Sequence, residues 1–156
     1  MQGVCFTGHR NLPASEQLRH ELTTTIEMLI AIGAEDFYAG GALGWDTLCA
    51  QTVLSLQREY PWIRLHLLLP CPAEVQTASW NPMQKAEFWA ILNQANSVTH
   101  VSESYHKSCM RKRNAALVEA ADCMVCFYHS KNSHSGTGQT VRMAEKKEIR
   151  IINLAK

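Results

Sequence analysis

The chain reads as a single α/β domain, a three-layer sandwich built on a mainly parallel, doubly wound sheet. Three observations predict it. Apolar strand-like runs alternate with helical patterns from one end to the other, the rhythm of a parallel sheet covered on both faces. Three of these runs stop at glycine-bearing turns just before a helical pattern: Thr7-Gly8-His9-Arg10, the stretch from Tyr38 to Asp46, and Ser135-Gly136-Thr137-Gly138-Gln139-Thr140. Finally, 156 residues with 46% apolar and 19% charged content suit one globular domain with a sizeable core.

Gly3–Thr7 is the first strand. Ser15 offers an N-cap to a helix whose apolar residues recur at Leu18, Leu22, Ile26, Leu29 and Ile30, until Gly33 ends it. A short strand over Asp36–Ala39 leads to a helix from about Gly44 to Arg58. Ile63–Leu69 is the third strand, closed by Pro70-Cys71-Pro72, and a long connection without structure of its own runs on to Pro82. A helix over about Met83–Ala95 and a short fourth strand at Ser97–Val101 follow. Lys112–Ala121 reads as a helix, Asp122–Tyr128 as a strand, Thr137–Lys147 as a helix and Ile149–Asn153 as the sixth strand. Right-handed crossovers favour a Rossmann-like arrangement. No repeat, low-complexity tract or linker interrupts residues 1–156, so the chain is one domain.

Charge and composition exclude several classes. Fifteen Lys plus Arg against fourteen Asp plus Glu leave +1, which argues against nucleic acid or a membrane surface as partner. The apolar stretches are too short to span a bilayer. Residues Met1–Phe6 lead straight into a strand pattern without a leader signature, so the expected location is cytoplasmic. The six cysteines are expected to be free thiols, with Cys5, Cys123 and Cys126 in strand runs and Cys49 on a helix. Cys123 and Cys126 have metal-like spacing, but residues three apart on a strand face opposite sides. No four-ligand zinc pattern is present, and neither metal nor cofactor is expected. His129 and His134 flank a polar loop beside the last glycine turn.

The three turns would converge at the C-terminal edge of the sheet, where such folds bind phosphate-bearing ligands. Gly40, Gly41 and Gly44 let the backbone approach a ligand closely. Asp46, in the first turn of the next helix, suits the dipole and has the chemistry to meet a ribose hydroxyl or an attacking water. Its alternative role is a simple helix cap. Thr7, Gly8, His9 and Arg10 bring a hydroxyl and a guanidinium to the end of the first strand, with Arg10 either gripping phosphate or pairing at the surface. Gly136, Thr137 and Thr140 offer amides and hydroxyls to an anion. In the basic cluster Met110-Arg111-Lys112-Arg113-Asn114, Arg113 and Asn114 are expected to face the cleft while Arg111 and Lys112 face solvent. Gln76 and Trp80 lie in the long connection, where the indole either stacks on a base or fills a gap in the core.

Taken in order, these segments resemble the YpsA-like branch of the SLOG superfamily over nearly the whole chain. The resemblance rests on Thr7-Gly8-His9-Arg10, on Gly40 to Asp46, and on Pro70, Gln76 and Trp80. Arg113-Asn114, the Ala121-Asp122 step and Gly136-Thr137 complete it. It implies a Rossmann-like fold, binding of a nucleotide or nucleotide-derived ligand, and a homodimer. The same superfamily holds the LOG phosphoribohydrolases, which split a nucleoside monophosphate into base and ribose phosphate. In their signature an Arg precedes the fifth strand and a PGGxGTxxE turn follows it. Arg113 matches the Arg and Gly136-Thr137 the GT, but Thr140 stands where the catalytic glutamate would be, and His134-Ser135 replace the leading Pro-Gly. Threonine cannot supply the carboxylate that N-glycosidic hydrolysis needs.

Three readings follow. The first is a ligand-binding module that senses a nucleotide-like molecule. The second is a nucleotide N-glycosidase with Asp46 as its carboxylate and Arg10 and Arg113 on the phosphate. The third is nucleic-acid binding, known in the superfamily from the DNA-processing protein of transformation, against which the near-neutral charge speaks.

Overall fold

The computed structural model of the chain describes residues 2–132 and 134–156. Met1, the head of the predicted domain, lies outside the described residues. Six strands form one sheet: β1 Gly3–Gly8, β2 Asp36–Ala39, β3 Arg64–Leu69, β4 Ser97–His100, β5 Cys123–Phe127 and β6 Arg150–Asn153. Their order across the sheet is β4-β3-β2-β1-β5-β6. All five pairings are parallel. The α-helices are α1 Glu16–Ala31, α2 Trp45–Leu56, α3 Ala73–Gln76, α4 Pro82–Gln94, α5 Cys109–Ala120 and α6 Gly136–Lys147.

The period-two alternation of the strands sorts their side chains into two cores. Val4, Phe6, Phe37, Leu65 and Val125 turn towards α1, α2 and α4, and the rings of Phe6 and Phe37 stack with centroids 6.2 Å apart. Cys5, Met124 and Cys126 turn the other way, towards Leu117 and Val118 of α5 and Val141 and Ala144 of α6. Cys123 and Cys126 therefore belong to different layers, as their spacing on a strand requires. All six cysteines are buried and unpaired. Burial pushes the Cys126 thiol up to about 12, which makes it a packing residue and not a nucleophile.

The helix ends follow their sequence signals. Ser15 accepts the Leu18 N–H at 3.1 Å and starts α1. Asn81 and Gln84 form a reciprocal capping box on α4, with Pro82 in its first turn. α6 ends at Glu148, a left-handed residue with φ 63°.

Three expectations change. The connection after β3 is not structureless: Ala73–Gln76 form a single helical turn, closed by Gln76 N–H to Pro72 O at 3.0 Å. One turn is too short to show a helical period. α5 begins at Cys109, three residues before the predicted Lys112, and its cap residue Ser108 makes no side-chain bond that would mark the start. The second face of the sheet is incompletely covered, because Arg64 and His66 of β3 stand on it half-buried beside Ser97 of β4.

Candidate functional site

The strand order turns at β1, with β2 on one side and β5 on the other. The helices after these strands leave on opposite faces, α1 against one core and α6 against the other. A crevice must open beyond the C-terminal ends of β1 and β5. A cleft of about 830 Å³ lies there, within the roughly 300–1,000 Å³ typical of small-molecule sites.

β1 supplies Thr7 and Gly8, and the loop after it His9 and Arg10, while Ser135, Gly136 and Thr137 come from the start of α6. Asp46 and the α5 residues Arg113 and Asn114 also line the cleft. From the β3 side come Pro70, Val75, Gln76, Ser79 and Trp80, joined by Tyr105 and Met110. β3 and β5 lie three strand spacings apart, about 14 Å, so the cleft is long enough to have two chemically different ends.

At the α6 end, Ser135 accepts the Gly138 N–H at 3.0 Å. Helix geometry leaves the Gly136 and Thr137 amides without an acceptor inside the helix. A Cβ placed on Gly136 would meet nothing within 4 Å, so the backbone here is open to a ligand. This helix start carries the positive end of the dipole and no acidic residue in its first turn. Thr140 does not reach the cleft surface: it is fully buried, and its hydroxyl donates to the Gly136 carbonyl at 2.8 Å.

The turn from Gly40 to Asp46 is built differently. Its glycines make room for the protein itself. A Cβ on Gly40 would collide with the Arg113 guanidinium and lie 2.9 Å from Asp46 Oδ2. Gly44 has φ 82° and abuts the backbone of Arg10, while Gly41 has φ 75° and packs on Leu69. Gly8 is pressed against the Trp45 indole, whose Nε1 donates to the Val125 carbonyl at 3.3 Å. The start of α2 is likewise occupied: Trp45 N–H donates to His9 O at 3.2 Å, and Ala42 N–H to Asp46 Oδ2 at 3.2 Å. A carboxylate already sits where an anionic ligand would bind, so the glycines of this turn are scaffold. Gly40, Gly41 and Gly44 are therefore placed behind the cleft and not on it.

Arg113 is 4% exposed and Asp46 6%. Arg113 Nη1 donates to the Gly40 carbonyl, and its Nε to Asn114 Oδ1 at 2.8 Å. Burial raises the Asp46 carboxyl above its ordinary value; the Arg113 charge and the Ala42 and Gly40 amides pull it back. Burial likewise lowers the Arg113 guanidinium, with Asp46 opposing. The two charges hold each other across Gly40, and Arg111 and Lys112 face solvent as their positions predict.

His9 accepts the backbone N–H of His129 on Nε2 at 3.0 Å. Only an unprotonated nitrogen accepts, so His9 is the neutral tautomer with its proton on Nδ1. The two imidazoles stack at 5.7 Å. Burial, and then the neighbouring His129, lower the His9 pKa. Trp80 is half-buried, meets Phe88 edge-on at 5.4 Å and still lines the cleft, so it both packs and presents a surface. Sequence reasoning passed over Val75 and Tyr105, which are 43% and 64% exposed at the cleft. A tyrosine inside the polar run Ser102–Lys107 was the available signal for the second.

Sheet order and cleft position define a Rossmann-like α/β protein. The YpsA family model, described as the YspA SLOG family, matches residues 5–155, and the chain belongs to that family. The "UPF0398 protein" of Bacillus pumilus (strain SAFR-032) is 29% identical over 125 residues, covering 79% of this chain and 66% of that protein. This chain thus spans just under two thirds of that relative. The "Uncharacterized SPbeta prophage-derived protein YoqJ" of Bacillus subtilis (strain 168) is 27% identical over 147 residues, 86% of this chain and 84% of its own. Among solved structures, DNA processing protein A from Helicobacter pylori, described for its single-stranded DNA binding mode, superposes with a TM-score of 0.69 at 20% identity. That match covers 99% of this chain and 65% of the other. TM1055, a structural-genomics target, gives 0.60 at 17% identity, over 97% of this chain and 72% of its own. These superpositions show the fold. Among the described residues, no helix is long and apolar enough to cross a membrane.

Proposed function

We propose that the cleft binds a nucleotide or nucleotide-derived small molecule and that the protein acts as a sensor or regulatory module. The observation that carries this reading is the chemical division of one cleft. Arg10 and the open amides of Gly136 and Thr137 suit a phosphate at the α6 end. Val75, Trp80, Tyr105 and Met110 give the β3 end an apolar, partly aromatic lining that suits a base. The test is a thermal-shift screen against nucleoside mono-, di- and triphosphates, ADP-ribose, NAD, cyclic dinucleotides and an oligo-dT strand. A ligand at a hundred times its Kd adds about 2.7 kcal/mol to stability, so a nucleotide is expected to raise the melting temperature clearly. No response to any nucleotide would remove the reading. Recovery of the bound ligand intact on chromatography supports the sensor role, and light scattering of the same sample tests the homodimer.

One observation favours a second reading, nucleotide N-glycosidic hydrolysis. Asp46 is a carboxyl group on the cleft, held above its ordinary value by burial. Asp46→Asn keeps an oxygen for the Ala42 N–H. If hydrolysis occurs, this change should abolish turnover and leave binding intact or stronger. A retained rate would eliminate Asp46 as the catalytic carboxylate. The oligo-dT arm addresses the activity described for the Helicobacter pylori relative. Binding through the exposed Arg111 and Lys112 would weaken steeply with salt.

A further inference from the structure

Gln76 carries a side-chain oxygen that the protein does not satisfy. Its Nε2 donates to the Gly41 carbonyl at 3.0 Å, which fixes which end of the amide is which. Its Oε1 is buried and finds no donor, the one such side-chain atom among the described residues. Leaving a buried acceptor unpaired is costly, and one that persists calls for an explanation. Gln76 ends α3, lines the cleft, and stands among Val75, Ser79 and Trp80 at the β3 end.

We propose that Gln76 determines ligand specificity, with Oε1 accepting a hydrogen bond from an N–H donor on the edge of the bound base. The proposal rests on the nucleotide reading above and names what that reading leaves open. Oε1 is screened from water in this conformation, but the terminal torsion of a glutamine is broad. Presenting Oε1 to a ligand requires the amide to turn about this torsion; Nε2 moves with it, so the hydrogen bond to Gly41 is exchanged for the one from the base. The rest of the β3-end lining is mostly apolar, so it offers a ring contact but little means of telling bases apart. The unpaired acceptor supplies that discrimination, because a site built to receive a donor rejects the analogue that lacks one.

The experiment is calorimetric titration of the wild-type protein with the 5′-monophosphates of adenosine, guanosine, inosine and purine riboside. The last has a base without any N–H. It should bind at least about tenfold more weakly than the best of the other three. Gln76→Met should weaken that best ligand more than purine riboside monophosphate and so close the gap between them. Equal wild-type affinity for purine riboside monophosphate and the best ligand would overturn the specificity role and leave nucleotide binding standing. No binding of these four, together with no response to any nucleotide in the thermal-shift screen, would remove both. If Gln76→Met fails to fold, the wild-type comparison decides alone.

Discussion

Gly40 precedes a helix and Gly136 opens one, yet the structure uses these two turn glycines in opposite ways. At Gly40 the space of a side chain is filled by the buried Arg113 and Asp46; at Gly136 it is empty. Gly40→Ala must push apart a buried charge pair, and overpacking of this kind costs about 1–3 kcal/mol. Gly136→Ala has no neighbour to displace, so its melting temperature should equal or slightly exceed that of the wild type. A methyl group over the Gly136 amide should instead weaken the nucleotide that the thermal screen finds. Denaturant melts of the two variants check the first pair of outcomes and calorimetry the third. Equal stability loss in both would contradict the division into scaffold and ligand-facing turns. That division was not legible in the sequence. Local spacing reveals that a turn needs glycine, but what occupies the space depends on Arg113, 73 residues away along the chain.

At the scale of elements, one lysine links two helices. Lys147, at the end of α6, donates from Nζ to the carbonyls of Val118, Glu119 and Ala121 at 2.9, 2.8 and 3.0 Å. These belong to the C-terminal end of α5, where Val118 O also receives the cap N–H of Ala121 and a cation meets the negative end of the dipole. Lys147→Met keeps the stem and removes the donor. It should cost about 1 kcal/mol in equilibrium denaturation and increase amide exchange in the last turn of α5. Unchanged protection there would mean that water satisfies these carbonyls equally well. The helices carrying an apolar stripe, such as α1 with Leu18, Leu22, Ile26 and Leu29, were readable from period alone. α3 was not, since four residues cannot display a period and its stability comes from turn bonds to Pro72 and Ala73. The same shortness hid the setting of Gln76, which the sequence placed only in a long connection.

Across the whole molecule, the two faces of the sheet are unequal. Three helices, α1, α2 and α4, pack against one core, while α5 and α6 cover the other. On that second face β2 to β4 carry a polar network in place of an apolar layer. Asp36 receives Arg64 Nε at 2.7 Å and Nη2 at 3.0 Å, and pairs with His66 Nε2 at 2.8 Å. His66 Nδ1 meets Ser97 Oγ at 2.6 Å, and Tyr38 stacks on the imidazole at 4.8 Å. The third-strand run Ile-Arg-Leu-His-Leu-Leu-Leu already alternates at Arg64 and His66, a half-exposed pattern that a strand buried on both faces would not show. The hydrogen bond from Arg64, helped by His66 and opposed by burial, holds Asp36 below its ordinary 3.8. A carboxyl lowered in the folded state adds stability above its unfolded pKa and loses it as pH falls through the folded one. Asp36→Asn should therefore melt below the wild type at pH 7, and the gap should close as acid protonates Asp36 beneath pH 3.8. Salt should narrow the gap only partly, because the carboxylate is half-buried and screening acts most on exposed pairs. A gap that stays constant from neutral pH into acid would mean that the network contributes shape and not charge. The three strands would then be held by their ladder and the α2–α4 core alone.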